Sequence, residues 1–176
     1  MEFIETDLRG AFLVKPATFV DERGFFARTW SQREFQDRGL DGSLVECNVS
    51  FNIRAGTLRG MHYQGEPHAQ VKLVRCTQGS IHDVIIDLRR DSPTFKRWIA
   101  TRLTAENQQM LYVPGGFAHG FQTLRENTEV LYQMGAYYAP ADAHGVRWDD
   151  PAFAIEWPDA ERIINARDAS YPDFVS

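Results

Sequence analysis

The feature that most constrains this chain is a series of short apolar or alternating runs, each closed by Gly, Pro or Asn. Lys72-Leu73-Val74-Arg75-Cys76, a turn at Thr77-Gln78-Gly79-Ser80 and then Ile81 to Leu88 read as a β-hairpin. Phe95 to Leu103, Gln109 to Val113, Gly120 to Leu124 and Glu129 to Tyr138 add further strands. Short strands at this spacing bury their apolar faces by packing as a sandwich or closing into a barrel. One helix is expected at Ser31 to Arg38, where Ser31 can cap and Glu34, three residues on, completes a capping box. The tail after Trp157-Pro158 is polar and irregular, with room for a short helix, and is expected to cover a barrel mouth. No repeat, low-complexity stretch or linker interrupts the chain, so residues 1–176 are expected to form one domain.

Composition narrows the function. With 176 residues and 43% hydrophobic content the chain can bury a sizeable core, and its 12 Phe, 13 Gly and 8 Pro favour strands and turns over a helical bundle. A net charge of -5 argues against broad binding to nucleic acid or an anionic membrane, while leaving room for a local basic cluster around one anionic ligand. Cys47 and Cys76 have neither metal nor redox spacing and read as reduced thiols. The acidic start, Met1-Glu2-Phe3-Ile4-Glu5, lacks the basic and apolar regions of a signal peptide, and no apolar run approaches membrane-spanning length. A cytoplasmic protein is expected.

Two segments resemble the double-stranded β-helix pattern called cupin: Gly56 followed after five residues by His62, and Pro114-Gly115-Gly116-Phe117-Ala118-His119. The fold class expected is therefore mainly β, a cupin or jelly-roll barrel with a few short helices. In metal-binding cupins another His follows the first by two residues, with a Glu slightly later. Here those positions are Gln64 and, on or near it, His68. An amide oxygen is a poorer ligand than imidazole for zinc or iron, so no metal is expected. His82, in a strand, and His144, in a loop, lack convergent partners and read as structural or solvated. Arg59, His62 and Lys72 lie among strand-forming residues. On a barrel they can project inward from neighbouring strands into one cavity, with His119 on a further strand.

Further motifs extend along the chain in order. They are Asp21-Glu22-Arg23-Gly24-Phe25-Phe26, Leu58-Arg59-Gly60-Met61-His62-Tyr63-Gln64, Lys72-Leu73-Val74, Asp87-Leu88-Arg89 and Ser92-Pro93-Thr94-Phe95. The stretch from Pro114 to Phe121 follows, then Tyr137-Tyr138-Ala139-Pro140, Trp148-Asp149-Asp150-Pro151 and Trp157-Pro158. Together they resemble the dTDP-4-dehydrorhamnose 3,5-epimerase family from about residue 4 to about residue 172. The resemblance implies inversion of C3 and C5 in a nucleotide-linked 4-keto-6-deoxyglucose, with no cofactor. It implies a general base at His62, an orienting carboxylate at Asp168, a proton donor at Tyr132 and Lys72 near the keto oxygen. Arg59 and His119 would bind sugar or diphosphate, Tyr138 would stack on the base, and Arg23, Arg28, Glu46, Asn48 and Arg167 fall at further nucleotide contacts. It also implies a homodimer whose N-terminal strand reaches into the partner, so that Arg23 serves the neighbouring site.

These residue types suit the reaction. A C–H bond beside a ketone ionises to an enolate whose charge rests on oxygen, where a nearby ammonium stabilises it. Histidine is largely unprotonated near neutrality yet basic enough to take that proton. A phenol can return a proton to the other face. No Gly-x-Gly-x-x-Gly fingerprint or P-loop points to a nucleotide cofactor. Phe25, Phe26, Phe117 and Phe121 are expected in the core or pocket wall.

Three positions depart from the family pattern at the nucleotide end. Arg28 and Ala143 stand where Glu is common, and Glu46 stands where Gln is common. Arg28 and Glu46 are expected to pair. The alternatives are a C3-only epimerase, one taking another nucleotide, a metal-dependent cupin using His62, Gln64, His68 and His119, and a non-catalytic sugar binder.

Overall fold

The structure, a computed structural model, describes residues 1–175. Strands β1 (Glu2–Glu5) and β2 (Phe12–Lys15) precede a hairpin of β3 (Thr18–Asp21) and β4 (Gly24–Ala27), then helix α1 (Gln32–Gln36). The barrel strands follow: β5 (Glu46–Asn52), β6 (Leu58–Gln64), β7 (Lys72–Gln78), β8 (Ser80–Asp87), β9 (Trp98–Thr104), β10 (Met110–Val113), β11 (Phe117–Thr123) and β12 (Thr128–Met134). A 3-10 turn at Pro140–Asp142 leads into β13 (Ala143–Gly145), and the tail carries α2 (Ala166–Ala169).

Two antiparallel sheets face each other, one in the order β1-β2-β10-β7-β12-β5 and the other in the order β13-β6-β11-β8-β9. The core lies between them, with Val74, Cys76, Leu111 and Val130 meeting Ile81, Ile85, Phe117 and Phe121. A second layer backs the five-stranded sheet. There Met61, Val84, Ile86 and Ala118 lie under Val146, Phe153 and Trp157 of the C-terminal segment. That cover explains why β8 is buried on both faces. Among the described residues no helix is long and apolar enough to cross a membrane.

Several local expectations are corrected. The runs at 72–78 and 80–87 are strands but not a hairpin. β7 is laddered between β10 and β12, and β8 between β9 and β11, so the turn at Gly79 carries the chain from one sheet to the other. Gly79 sits at φ +81°, where a Cβ would run into Thr128. The Phe95 run starts late, at Trp98, because Lys96 adopts φ 65° in the preceding turn. Ser31 holds the N-cap backbone position of α1, yet the capping box does not form. Glu34 instead accepts from the Met1 ammonium at 2.7 Å, a charge-assisted bond stronger than one from a neutral amide.

β1 pairs with β2, and β2 with β10, inside the same chain. What leaves the barrel is the β3–β4 hairpin. Phe25 and Phe26 are on it and not in the core: Phe26 is 69% exposed and Phe19, its register partner, 67%. Phe117 and Phe121 are buried as expected.

Candidate active site

A cavity of about 330 Å³ opens between the two sheets. The five-stranded sheet contributes Arg59, His62 and His119, and the six-stranded sheet contributes Asn48, Lys72 and Tyr132. Lys72 therefore reaches Arg59 and His62 from the opposite wall rather than from a neighbouring strand. Arg59 and His62 are an odd number of residues apart, and a regular strand would turn them to opposite faces. A bulge resolves this, because β6 places two residues between Arg59 and His62 where β11 places only Gly120 between His119 and Phe121. Glycines permit the bulge. A Cβ on Gly60 would lie 2.5 Å from the Gly120 Cα, and one on Gly120 would lie 2.8 Å from the Arg59 carbonyl oxygen.

His62 Nε2 lies 2.8 Å from Asp168 Oδ1, and the other carboxylate oxygen accepts from the Gly60 N–H at 3.1 Å. Asp168 is positioned by α2, whose N-cap Asn165 accepts from the Asp168 N–H at 2.7 Å. The tail thus packs on the outer face of the five-stranded sheet, rather than over a barrel mouth, and delivers this carboxylate. Burial alone would raise the Asp168 carboxyl, but the bond to His62, its charge and the Gly60 N–H outweigh burial and hold it below the usual range. The ionised carboxylate accepts only, so the His62 nitrogen facing it is the N–H and the other nitrogen is the basic one.

Lys72 Nζ donates to the His62 carbonyl at 3.0 Å. Burial pushes its ammonium down to about 8, with the Asp83 charge opposing. Tyr132 packs against His119 and Phe121, with ring centroids 6.0 and 6.2 Å away. Burial raises its phenol above the ordinary range, and a hydrogen bond to Ser50 opposes only in part. Tyr132 therefore keeps its proton throughout the neutral range.

Tyr138 and Arg167 line the outer part of the cavity. The segment carrying Tyr138 is pinned from below. Gln64 Nε2 donates to the Tyr137 carbonyl at 3.2 Å and to the His68 carbonyl at 2.8 Å, and its Oε1 accepts from the Ala139 N–H at 2.8 Å. Gln70 donates to the Ala136 carbonyl at 2.6 Å. Gln64, at the second cupin ligand position, is thus fully engaged with backbone, and His68 bonds Asp142 at 2.7 Å. Among the described residues no three His, Cys, Asp or Glu side chains converge to hold a metal.

Three residues expected to bind substrate do not line the cavity. Arg23 is at the hairpin turn, paired with Asp21 at 2.5 Å. Arg28 lies 3.8 Å from Glu34. Glu46 accepts from the Tyr138 N–H at 3.2 Å, so the Arg28–Glu46 pair does not form and each has a nearer partner. His144 is not a loop residue: it sits in β13, lines the cavity and packs on Tyr63 at 5.5 Å. Asp83 was missed altogether. Its signal was a carboxylate sharing one strand face with Ile81 and Ile85, which is unusual for a residue free to reach water.

Fold and cavity together define a class: a two-sheet jelly-roll barrel whose titratable side chains converge on one cavity from both sheets. A sequence profile of the dTDP-4-dehydrorhamnose 3,5-epimerase family matches residues 5–176. The chain belongs to that family. It is 41% identical over 174 residues to the dTDP-4-dehydrorhamnose 3,5-epimerase of Salmonella typhimurium, covering 98% of this chain and 94% of that one. The Bacillus anthracis enzyme, solved with TDP and PPi bound, superposes with a TM-score of 0.94 at 44% identity, covering 98% of this chain and 99% of the other. The Legionella pneumophila dTDP-6-deoxy-D-glucose-3,5-epimerase, solved with dTDP-4-keto-L-rhamnose, superposes at 0.91 with 34% identity, covering 97% and 90%.

Proposed function

We propose that this protein epimerises C3 and C5 of dTDP-4-dehydro-6-deoxy-D-glucose to give dTDP-4-dehydro-L-rhamnose. The observation that carries the reading is that His62 and Tyr132 enter one cavity from opposite sheets. His62, held by Asp168, removes the proton next to the ketone. Lys72 stabilises the enolate oxygen in a site poor in water, where a fixed charge acts most strongly. Tyr132 then delivers a proton to the face opposite His62, and inversion results. Arg59 and His119 meet the sugar or diphosphate, while Asn48, Tyr138 and Arg167 meet the nucleotide. Two chains complete the site by exchanging N-terminal segments, with Arg23 of one hairpin serving the other cavity. A cytoplasmic location fits two cysteines that form no disulfide.

Incubation with dTDP-4-keto-6-deoxyglucose in heavy water, followed by NMR, tests the reading. Deuterium at both C3 and C5 with a 4-keto-rhamnose product is expected. Exchange confined to C3 would replace it by a C3 epimerase, and no exchange would overturn it.

A further inference from the structure

Asp83 does not line the cavity, yet its charge acts on groups that do. It points from β8 into the barrel and has no exposed surface. Its Oδ1 lies 2.7 Å from His119 Nε2, and its Oδ2 has no hydrogen-bond partner. A buried acceptor left without a donor is costly, so the charge must be answered by its surroundings. The ionisable groups around Asp83 are His119 on β11, Lys72 and Cys76 on β7, Arg59 and His62 on β6, Tyr132 on β12 and, next to Asp83 itself, His82 on β8. Arg59 Nε is engaged by Asn52 at 2.8 Å and His62 by Asp168. The Asp83 charge favours the protonated forms of Lys72, Tyr132, Cys76 and His82, but of these only Lys72 is a cation, and only His119 bonds the carboxylate.

We propose that Asp83 is a positioning residue for the epimerisation: it fixes His119 as the Nε2–H tautomer and supplies the buried negative charge that holds Lys72 as an ammonium ion beside the sugar. The proposal rests on the epimerase reading. An ionised carboxylate cannot donate, so a 2.7 Å contact requires the proton on Nε2 and leaves Nδ1 for the cavity. The site then has two His–carboxylate pairs, His62–Asp168 and His119–Asp83, on residues that are register partners in β6 and β11. Both pairs orient a ring, and the second also sets the charge opposite it. Without Asp83, burial would act unopposed on Lys72, and the enolate would form against a neutral amine.

The test uses the full chain, labelled with nitrogen-15 and carbon-13 and free of substrate. In the wild type, neutral His119 is expected to carry its proton on Nε2, and finding it on Nδ1 overturns the proposal. In Asp83→Asn the Lys72 titration is expected to move down by about one pH unit, the low end for loss of a neighbouring opposite charge. An alkaline limb of kcat/KM set by Lys72 should move with it. An unmoved Lys72 midpoint in a folded variant overturns the proposal, because a merely structural role predicts no such shift. The tautomer measurement decides even if Asp83→Asn fails to fold. Neither NMR measurement needs turnover, so a wild-type protein inactive on the keto sugar sinks the epimerase reading separately.

Discussion

Asp21 and Arg23 at the hairpin turn form the same two-residue-spaced ion pair as Asp87 and Arg89 at the end of β8, in opposite surroundings. Asp87 is fully buried and accepts from Arg89, Ser92 and Thr94 at 2.5 to 2.9 Å. The Arg23 side chain is 83% exposed, and the strands around it leave Phe19, Val20, Phe25 and Phe26 in water. The difference teaches which parts one chain finishes. The barrel and its cavity satisfy their polar groups mostly from within. The hairpin presents an apolar surface that nothing in the same chain covers, β5 adds Val49 and Phe51 on its outer face, and Ile53 follows just beyond its end.

If the barrel is self-sufficient for chemistry, the largest effects come from its cavity. Replacing His62 by Asn is expected to cut kcat on the order of a thousandfold and to abolish deuterium uptake at C3 and C5. Retained exchange would reject His62 as the base. Tyr132→Phe is expected to cost about a hundredfold in product formation while exchange by His62 continues. Normal inversion in that variant would remove Tyr132 from the mechanism.

The two ion pairs can be set against each other directly. Asp87 is held down to about 2: burial alone would raise it, but the bonds from Arg89, Ser92 and Thr94 outweigh that. An unfolded Asp titrates near about 4. The folded value is the lower one, so the stabilisation is complete above about pH 4 and disappears as pH falls through about 2. Its size is about 2–3 kcal/mol. Chemical denaturation across this range should show Asp87→Asn less stable than wild type by at least this amount at neutral pH, the gap narrowing in acid. Asp21→Asn should be indistinguishable from wild type, since an exposed pair gains little over water. Equal losses in the two variants would erase the distinction between the regions.

Much of this was legible in the sequence, for physical reasons that differ by level. Strand positions followed from turn residues and apolar runs; their number and spacing allowed a sandwich or a barrel, and the cupin-like segments at Gly56–His62 and Pro114–His119 chose the barrel. Sheet membership did not follow. Nothing local to Thr77-Gln78-Gly79-Ser80 says whether the next strand pairs with the last, because that depends on which ladders β10 and β12 have already taken. The inward set of Arg59, His62, Lys72 and His119 was readable because polar residues recur within apolar strands, whereas Tyr132 entered only through the family resemblance. Asp83 was hidden by the same logic, since a lone carboxylate reads as an ordinary solvated charge until its face of β8, shared with Ile81 and Ile85, is known to point into the barrel. The Arg28–Glu46 pairing failed because charge alone, without distance, cannot choose between Glu46 and the nearer Glu34.

The smallest effect, and the sharpest for the comparison, belongs to the hairpin. If Arg23 of one chain meets the nucleotide in the other, Arg23→Ala is expected to raise KM about tenfold, equivalent to about 1.4 kcal/mol, and to leave kcat unchanged. The dimer itself should survive, because the apolar strands are intact. Phe26→Ser should act differently: it removes part of the exposed apolar face, so sedimentation should show weaker association, and KM should rise with it. Association is then the cause of the KM change in Phe26→Ser but not in Arg23→Ala, and raising protein concentration should restore only the former. If both variants remain dimers with wild-type KM, the hairpin lies away from any substrate, and its exposed phenylalanines need a different explanation.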